Sequence, residues 1–237
     1  MDTHTIESEH ASLSISHDLR APLRVVEGFT RILKEDYGPS LDRVANDHLE
    51  RVLAATTRMG KMIDALLGLA QISSQPLVRQ SVNLSQLAEF ILEDLRHQQA
   101  DRLATVHVQG GIVRHGDPTL LRMLMENLLG NAWKYTGKRD HTRIEVSERV
   151  MPDGRVACCI HDNGAGFNPD LAPRLFLPFQ RLHSISDFPG HGIGLATVKR
   201  IVQRHGGEVW ASCNAEEGAE FCFTLAERVA DRAGPAH

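Results

Sequence analysis

A chain of 237 residues can hold one large domain or two small ones, and its 42% hydrophobic and 24% charged content is ordinary for a soluble globular protein. A net charge of −4 offers no basic face for nucleic acid, and no run approaches the roughly 18 apolar residues that span a bilayer. The first twenty residues are polar and acidic, unlike a signal peptide, and four cysteines fit a reduced interior better than a disulfide framework. A cytoplasmic protein is expected.

Two long helical patterns come first. One runs from about Thr3 to Asp36 and is broken by Tyr37-Gly38-Pro39-Ser40; the second runs from about Asp42 to Ser73. In the second, Ala45, Leu49, Val52, Thr56, Met59, Ile63, Leu66 and Ala70 alternate spacings of four and three, a heptad seam. Leu19, Leu23, Val26, Thr30, Leu33 and Tyr37 answer at the same spacing in the first. The product is an antiparallel hairpin about 45 Å long at 1.5 Å per residue. Met62, Leu67 and Leu69 widen the apolar stripe beyond what one hairpin can cover, which argues for a dimeric four-helix bundle.

Within the first helix, Ser16-His17-Asp18-Leu19-Arg20-Ala21-Pro22-Leu23 sets a histidine beside a carboxylate. Pro22 has no N–H for the carbonyl of Asp18, so a helix is expected to bend here. Neutral imidazole is a good nucleophile, and a neighbouring carboxylate can hold its other ring nitrogen and take up the proton. On the heptad lattice His17 falls just beside the seam, facing outward.

Pro76 lies in a short polar linker, expected over 76–83, and a new composition follows. The pattern predicts a helix from about Ser85, its cap, to Gln99, a strand at Ala104–Val108 and a helix from about Pro118 to Tyr135. Strands at Arg143–Val150 and Arg155–His161 flank the turn Pro152-Asp153-Gly154. A helix from about Gly192 to His205 and strands at Glu208–Cys213 and Ala219–Leu225 complete an α+β sandwich over 84–226, with a polar tail over 227–237. On the last two strands Cys213 and Cys222 could face each other, but small buried thiols are the favoured reading.

Local features of this second domain suit one ligand. Asn127 and Asn131 lie a turn apart on one helix face, with Lys134 a turn further; hard amide oxygens and an ammonium suit a Mg²⁺–phosphate group. In Asp162-Asn163-Gly164-Ala165-Gly166 a carboxylate at a strand end can accept from an exocyclic amine, while the glycines let a flat base approach the backbone. Gly190-His191-Gly192-Ile193-Gly194-Leu195 opens a helix whose free amides attract phosphate. No strand precedes it, which argues against a Rossmann site.

In order and combination, these stretches resemble the core of a bacterial sensor histidine kinase. His17-Asp18-Leu19-Arg20-Ala21-Pro22-Leu23 resembles its phosphoacceptor H-box, and Asn127 to Thr136 resembles its N-box. Asp162 to Phe167, Phe176-Leu177-Pro178-Phe179 and Gly190 to Leu195 resemble the G1, F and G2 boxes. The first box and the Tyr37-Gly38…Leu41-Asp42 turn are similar to those of kinases attached to phytochrome-type sensors. The resemblance implies a dimerisation and phosphotransfer hairpin over 1–75 joined to a GHKL-type ATP-binding domain. By position, Asp162 would hold the adenine amino group, and Asn127 and Asn131 would hold Mg²⁺. Lys134, Tyr135 and Arg181 would border the phosphates. The segment from about Gln180 to His191 would be the ATP lid, and Gly190, Gly192 and Gly194 would close on the triphosphate, with Gly164, Gly166 and Leu195 completing the nucleotide site. His17 would attack the γ-phosphoryl group with Asp18 as general base, and the group would pass to an aspartate of a response regulator receiver domain. An upstream sensor domain or protein is implied as a further partner.

Relatives that hydrolyse ATP resemble one another in carrying a glutamate one turn before the Mg²⁺ asparagine. Here that place is Asn127, and the adjacent Glu126 is rotated about 100° off the face. Transfer to His17 is thus expected over the alternatives, a GHKL-type ATPase or a phosphotransfer scaffold without kinase activity. Many family members carry Thr or Asn four residues after the acceptor histidine, linked to phosphatase activity toward the regulator; this chain has Ala21, so weak phosphatase activity is expected. His191 stands where the G2 box is often small or hydroxylated.

Overall fold

The computed structural model describes residues 3–184, 187–188, 190, 192–214 and 217–226, with side chains from residue 20 onward except at 65 and 214. The chain divides into two compact units, Met1–Gln75 and Pro76–His237.

The first unit is a helical hairpin. Helix α1 (Thr3–Tyr37) runs through Pro22, a 3₁₀ turn (Gly38–Ser40) reverses the chain, and α2 (Arg43–Ser74) returns. The Asp42 carboxylate caps α2 by accepting from the Ala45 N–H at 2.7 Å. The Asn46 amide closes the turn by donating to the carbonyls of Gly38, Leu41 and Asp42. The polar seam members Thr30 and Thr56 are buried, and each hydroxyl donates to a carbonyl of its own helix, so neither is left unsatisfied. Arg20–Asp64 and Lys34–Glu50 bridge the helices at 2.6 and 2.8 Å; both pairs are exposed and add little stability. Leu23, Leu49 and Ile63 of the seam are half-buried, whereas Val26, Leu33, Tyr37, Val52, Met59 and Leu66 stay exposed, from 39% at Val52 to 56% at Tyr37.

The second unit is an α/β sandwich. Its five-stranded sheet has the order β2 (Ala104–Val108), β4 (Thr142–Val150), β5 (Val156–Asp162), β7 (Gly218–Phe223), β6 (Val209–Asn214). The β2–β4 pair is parallel and the other pairs are antiparallel. Helices α3 (Leu84–Gln98), α4 (Pro118–Tyr135) and α5 (Gly194–Arg204) pack side by side on the sheet. Strand alternation sends Ile144, Val146, Ile160, Phe221 and Phe223 into the core with Leu121, Leu124, Leu128 and Leu129 of α4. Each such side chain contributes about 1.5–3 kcal/mol by leaving water.

Several details depart from the sequence reading. Gln80–Asn83 of the expected linker forms β1, paired antiparallel with β3 (Val113–Gly116). Helix α3 is capped by Asn83, whose side chain accepts from the Gln86 N–H, and not by Ser85. The buried Ser85 hydroxyl instead donates to Gln109 O at 2.6 Å and accepts from Ile112 N at 2.9 Å, pinning the turn before β3. The register of the β6–β7 hairpin sets Cys213 opposite Ala219, so Cys213 and Cys222 do not face each other. Cys222 lies opposite Cys159 of β5, and these two form a disulfide, correcting the expectation that all four thiols stay reduced. Cys158 points to the other face; burial pushes its thiol up to about 12, so it does not react as a thiolate. The tail over 227–237 lies outside the described residues.

Helix α4 is held at its start by Asp117. One carboxylate oxygen accepts from Thr119 N and Leu120 N, and the other accepts from Val78 N at 3.1 Å. The Asp117 N–H donates to Nε2 of the buried His205, whose Nδ1 donates to Ile201 O at 2.8 Å. This bonding needs the neutral imidazole. Burial, with the charges of Arg79 and Arg204, lowers the His205 pKa against the opposing pull of Ile201 O and Asp117. A lowered histidine pKa means that the native state binds fewer protons than the unfolded chain. The stability it contributes is complete above the ordinary value of 6.5 and is lost as pH falls below it. The thermal midpoint is expected to drop between pH 7.5 and 5.5, and this component of the drop to vanish in His205→Gln.

Candidate functional site

Helix α4 buries Leu121, Leu124, Met125, Leu128, Leu129 and Ala132, which leaves Asn127, Asn131 and Lys134 on a half-buried stripe. The Asn127 side-chain N–H donates to Met123 O at 2.7 Å, which turns its Oδ1 toward Gly194, where a Cβ would come within 2.5 Å of that oxygen. Asn131 Oδ1 accepts from Lys134 Nζ at 3.0 Å. Burial lowers the Lys134 pKa to about 8, and the Arg181 guanidinium pushes the same way. Among the described residues neither Lys134 nor Arg181 is paired with a carboxylate. Two cations held together without an acid form a site for an anion.

Asp162 ends β5 and is 1% exposed. Burial pushes its carboxyl up to about 6, against the opposing effects of the Gly164 and Ala219 N–H groups and of His161. Its Oδ1 accepts from Gly164 N at 2.8 Å. Glycine is required at 164, since a Cβ would lie 2.6 Å from Asp162 Oδ1 and 2.8 Å from Tyr135 O. The turn is thereby laid against the end of α4, where Ala165 N donates to Tyr135 O at 3.1 Å. Burial raises the Tyr135 pKa; Arg181 opposes that shift and Asp162 adds to it.

The segment leading into α5 closes the third side. Phe179 has φ 64° and donates its N–H to Gly192 O at 2.8 Å. Gly192 has φ 72°, and a Cβ there would meet Gln180 O at 2.7 Å, so no other residue fits. Arg181 donates to the carbonyls of Phe188 and Gly190. Gly190 lies beside Lys134 Nζ, 3.5 Å from where its Cβ would be. Gly194 and the half-buried Leu195 open α5, and Ile193 at the cap position makes no side-chain bond to the first amides. Those amides are available to an anion.

The structure thus sets Asn127, Asn131, Lys134 and Tyr135 along the second half of α4, lays the turn of Asp162, Gly164 and Gly166 against its end, and brings Arg181, Gly190, Gly192, Gly194 and Leu195 of the segment leading into α5 to its side. His17 and Asp18 lie on α1 in the other unit; their side chains, like the whole of His191, lie outside the described residues. Sequence reasoning passed over several supports. Arg139 donates to Asn163 O and Gly164 O, holding the Asp162 turn. Arg102 donates to Trp133 O, Thr136 Oγ1 and Thr142 Oγ1 and lies 4.5 Å over the Trp133 ring, fixing the end of α4. Neither arginine stands in a motif, and only tertiary approach reveals them.

Comparison with known proteins defines the class. Residues 116–229 match the family described as histidine kinase-, DNA gyrase B- and HSP90-like ATPases, and residues 12–75 match the His Kinase A (phospho-acceptor) domain. The chain belongs to the sensor histidine kinases, of which it carries the core. It is similar to cyanobacterial phytochrome A of Nostoc sp. (30% identity, 94% of this chain, 29% of the relative) and to sensor histidine kinase CpxA of Escherichia coli K12 (32%, 89% and 45%). It spans less than a third of the phytochromes that it matches. The solved structure of full-length ShkA in complex with AMPPNP shares the fold (TM-score 0.62, 24% identity, 91% of this chain, 45% of that one). The mycobacterial sensor histidine kinase MprB matches at TM-score 0.52 and 26% identity over 62% of this chain and 97% of that one.

Proposed function

We propose that this chain transfers the γ-phosphoryl group of ATP to His17 and passes it on to an aspartate of a response regulator receiver domain. The observation that carries the reading is the pair of cations Lys134 and Arg181, neither bound to a carboxylate among the described residues, which meet at Gly190 near the end of α4 against which the Asp162 turn is laid. Asp162 accepts from the adenine amino group, and Lys134, Arg181 and the first amides of α5 take the phosphates. Asn127 and Asn131 would hold Mg²⁺, which neutralises developing phosphate charge. Both are neutral, so the ion's charge is balanced mainly by the nucleotide it comes with. The neutral His17 nitrogen attacks phosphorus, the bond to the bridging oxygen breaks, and Asp18 takes the proton from the other ring nitrogen. Hydrolysis is disfavoured because Asn127 has no base to offer; the nearby Glu126 is bound to Arg122 at 2.8 Å.

The exposed seam of the hairpin supports a homodimer through a four-helix bundle. The same reading has the chain take its input from a sensor domain or partner protein and act in the cytoplasm. Among the described residues no helix is long and apolar enough to cross a membrane. The test is incubation with γ-labelled ATP and Mg²⁺. Acid-labile, base-stable label on the protein is the expected result; free phosphate alone means an ATPase, and no turnover means a scaffold. With Ala21 in place, a purified phospho-regulator is expected to keep its phosphate when this chain is added without nucleotide. Rapid loss overturns that expectation.

A further inference from the structure

His183 lies in the segment from Gln180 to His191, outside the five boxes, and was given no contact of its own in the chemistry above, yet it joins three walls of the site. Its Nε2 donates to Gly166 O at 2.9 Å, on the turn that follows Asp162. Its ring centroid is 5.4 Å from that of Tyr135, at the end of α4, and 5.2 Å from that of Phe188. Tyr135 and Phe188 meet edge-on at 5.0 Å, which closes a triangle of rings. Phe188 is 6% exposed and lies under Lys138 Nζ, which also bonds Asp187 at 2.6 Å. Gly166 is held independently: its Cβ position is 2.8 Å from Cys213 Sγ, which accepts from Phe167 N at 3.1 Å. Rings with centroids this close are in direct contact, which leaves no slot for a base between them.

We propose that His183 is a positioning residue for the nucleotide site: by tying the turn at Gly166 to Tyr135 and Phe188, it fixes Arg181, two residues before it, beside Lys134. This rests on the ATP reading above. A residue that holds the walls together slows departure of the ligand more than it speeds arrival. One hydrogen bond and one or two ring contacts set the expected effect at about tenfold. The experiment uses the full chain and a non-hydrolysable ATP analogue with Mg²⁺, followed by stopped flow. His183→Ala is expected to raise the dissociation rate about tenfold, with the association rate unchanged and the nucleotide-free thermal midpoint moved by less than about 2 °C. His183→Gln keeps a donor and His183→Phe keeps a ring, and each is expected to recover part of the loss. Wild-type dissociation in His183→Ala overturns the proposal, as does a fall in the nucleotide-free midpoint that tracks the lost affinity across the variants. A wild-type chain that takes up no analogue overturns the ATP reading and the positioning role together. Binding by the wild type with no effect of the variants overturns the positioning role alone.

Discussion

His17→Gln is expected to reduce protein-bound label from γ-labelled ATP to background, a fall of at least about a thousandfold, while the affinity for ATP is unchanged. The glutamine amide has similar size and helix tolerance but no nucleophilic lone pair, so only the transfer step is removed. His17 and the proposed nucleotide site belong to different units of the chain, and the substitution leaves every proposed nucleotide contact in place. Asp18→Asn is expected to be milder, a loss of about a hundredfold or more, because it removes the proton acceptor and keeps the nucleophile. Label that survives on His17→Gln places the acceptor elsewhere and sinks the assignment.

The second large effect is in pH. On the proposed ATP reading, nucleotide binding needs Asp162 ionised and Lys134 charged, and burial moves these groups toward each other, the carboxyl to about 6 and the ammonium to about 8. Affinity for ATP is therefore expected to be bell-shaped, weakening as pH falls through the lower value and again as it rises through the upper. Asp162→Asn should remove the acid limb at a cost of about a hundredfold in affinity, the scale of losing a buried charged acceptor. Lys134→Met should remove the alkaline limb. Titration calorimetry from pH 5 to 9 reads both, and flat affinity in the wild type contradicts the scheme. The same Asp162 carboxyl affects the empty fold with the opposite sign. Its pKa is raised, so its contribution to stability is complete below 3.8 and lost as pH rises through about 6. Acid thus weakens the nucleotide and relieves the apo site at once.

How much of this was legible in the sequence depended on range. Helix α4 could be bounded near Pro118 and Tyr135 because the proline at its start and its apolar stripe are local signals. Strands β1 and β3 could not be read, because four residues without alternation become a strand only when a distant partner arrives. The disulfide escaped for the same reason: Cys159 and Cys222 are neighbours only because β7 lies beside β5. In the candidate site, the asparagines, Asp162 and the glycines could be singled out because their spacing, and the motifs they resemble, are local in the sequence. The shifts of Asp162 and Lys134 could not, since they arise from burial that several elements create together.

Asp117 joins two things that spacing keeps apart. Through Val78 it grips the stretch of chain that arrives from α2, and through Thr119 and Leu120 it grips the root of α4. Asn127 sits ten residues up that rod, about 15 Å along its axis at 1.5 Å per residue. A pull on the incoming segment at Val78 is therefore borne at the foot of a rod whose far part carries Asn127 and Asn131. Displacement of that segment is thereby coupled to the helix that carries the candidate site, without passing through any ligand.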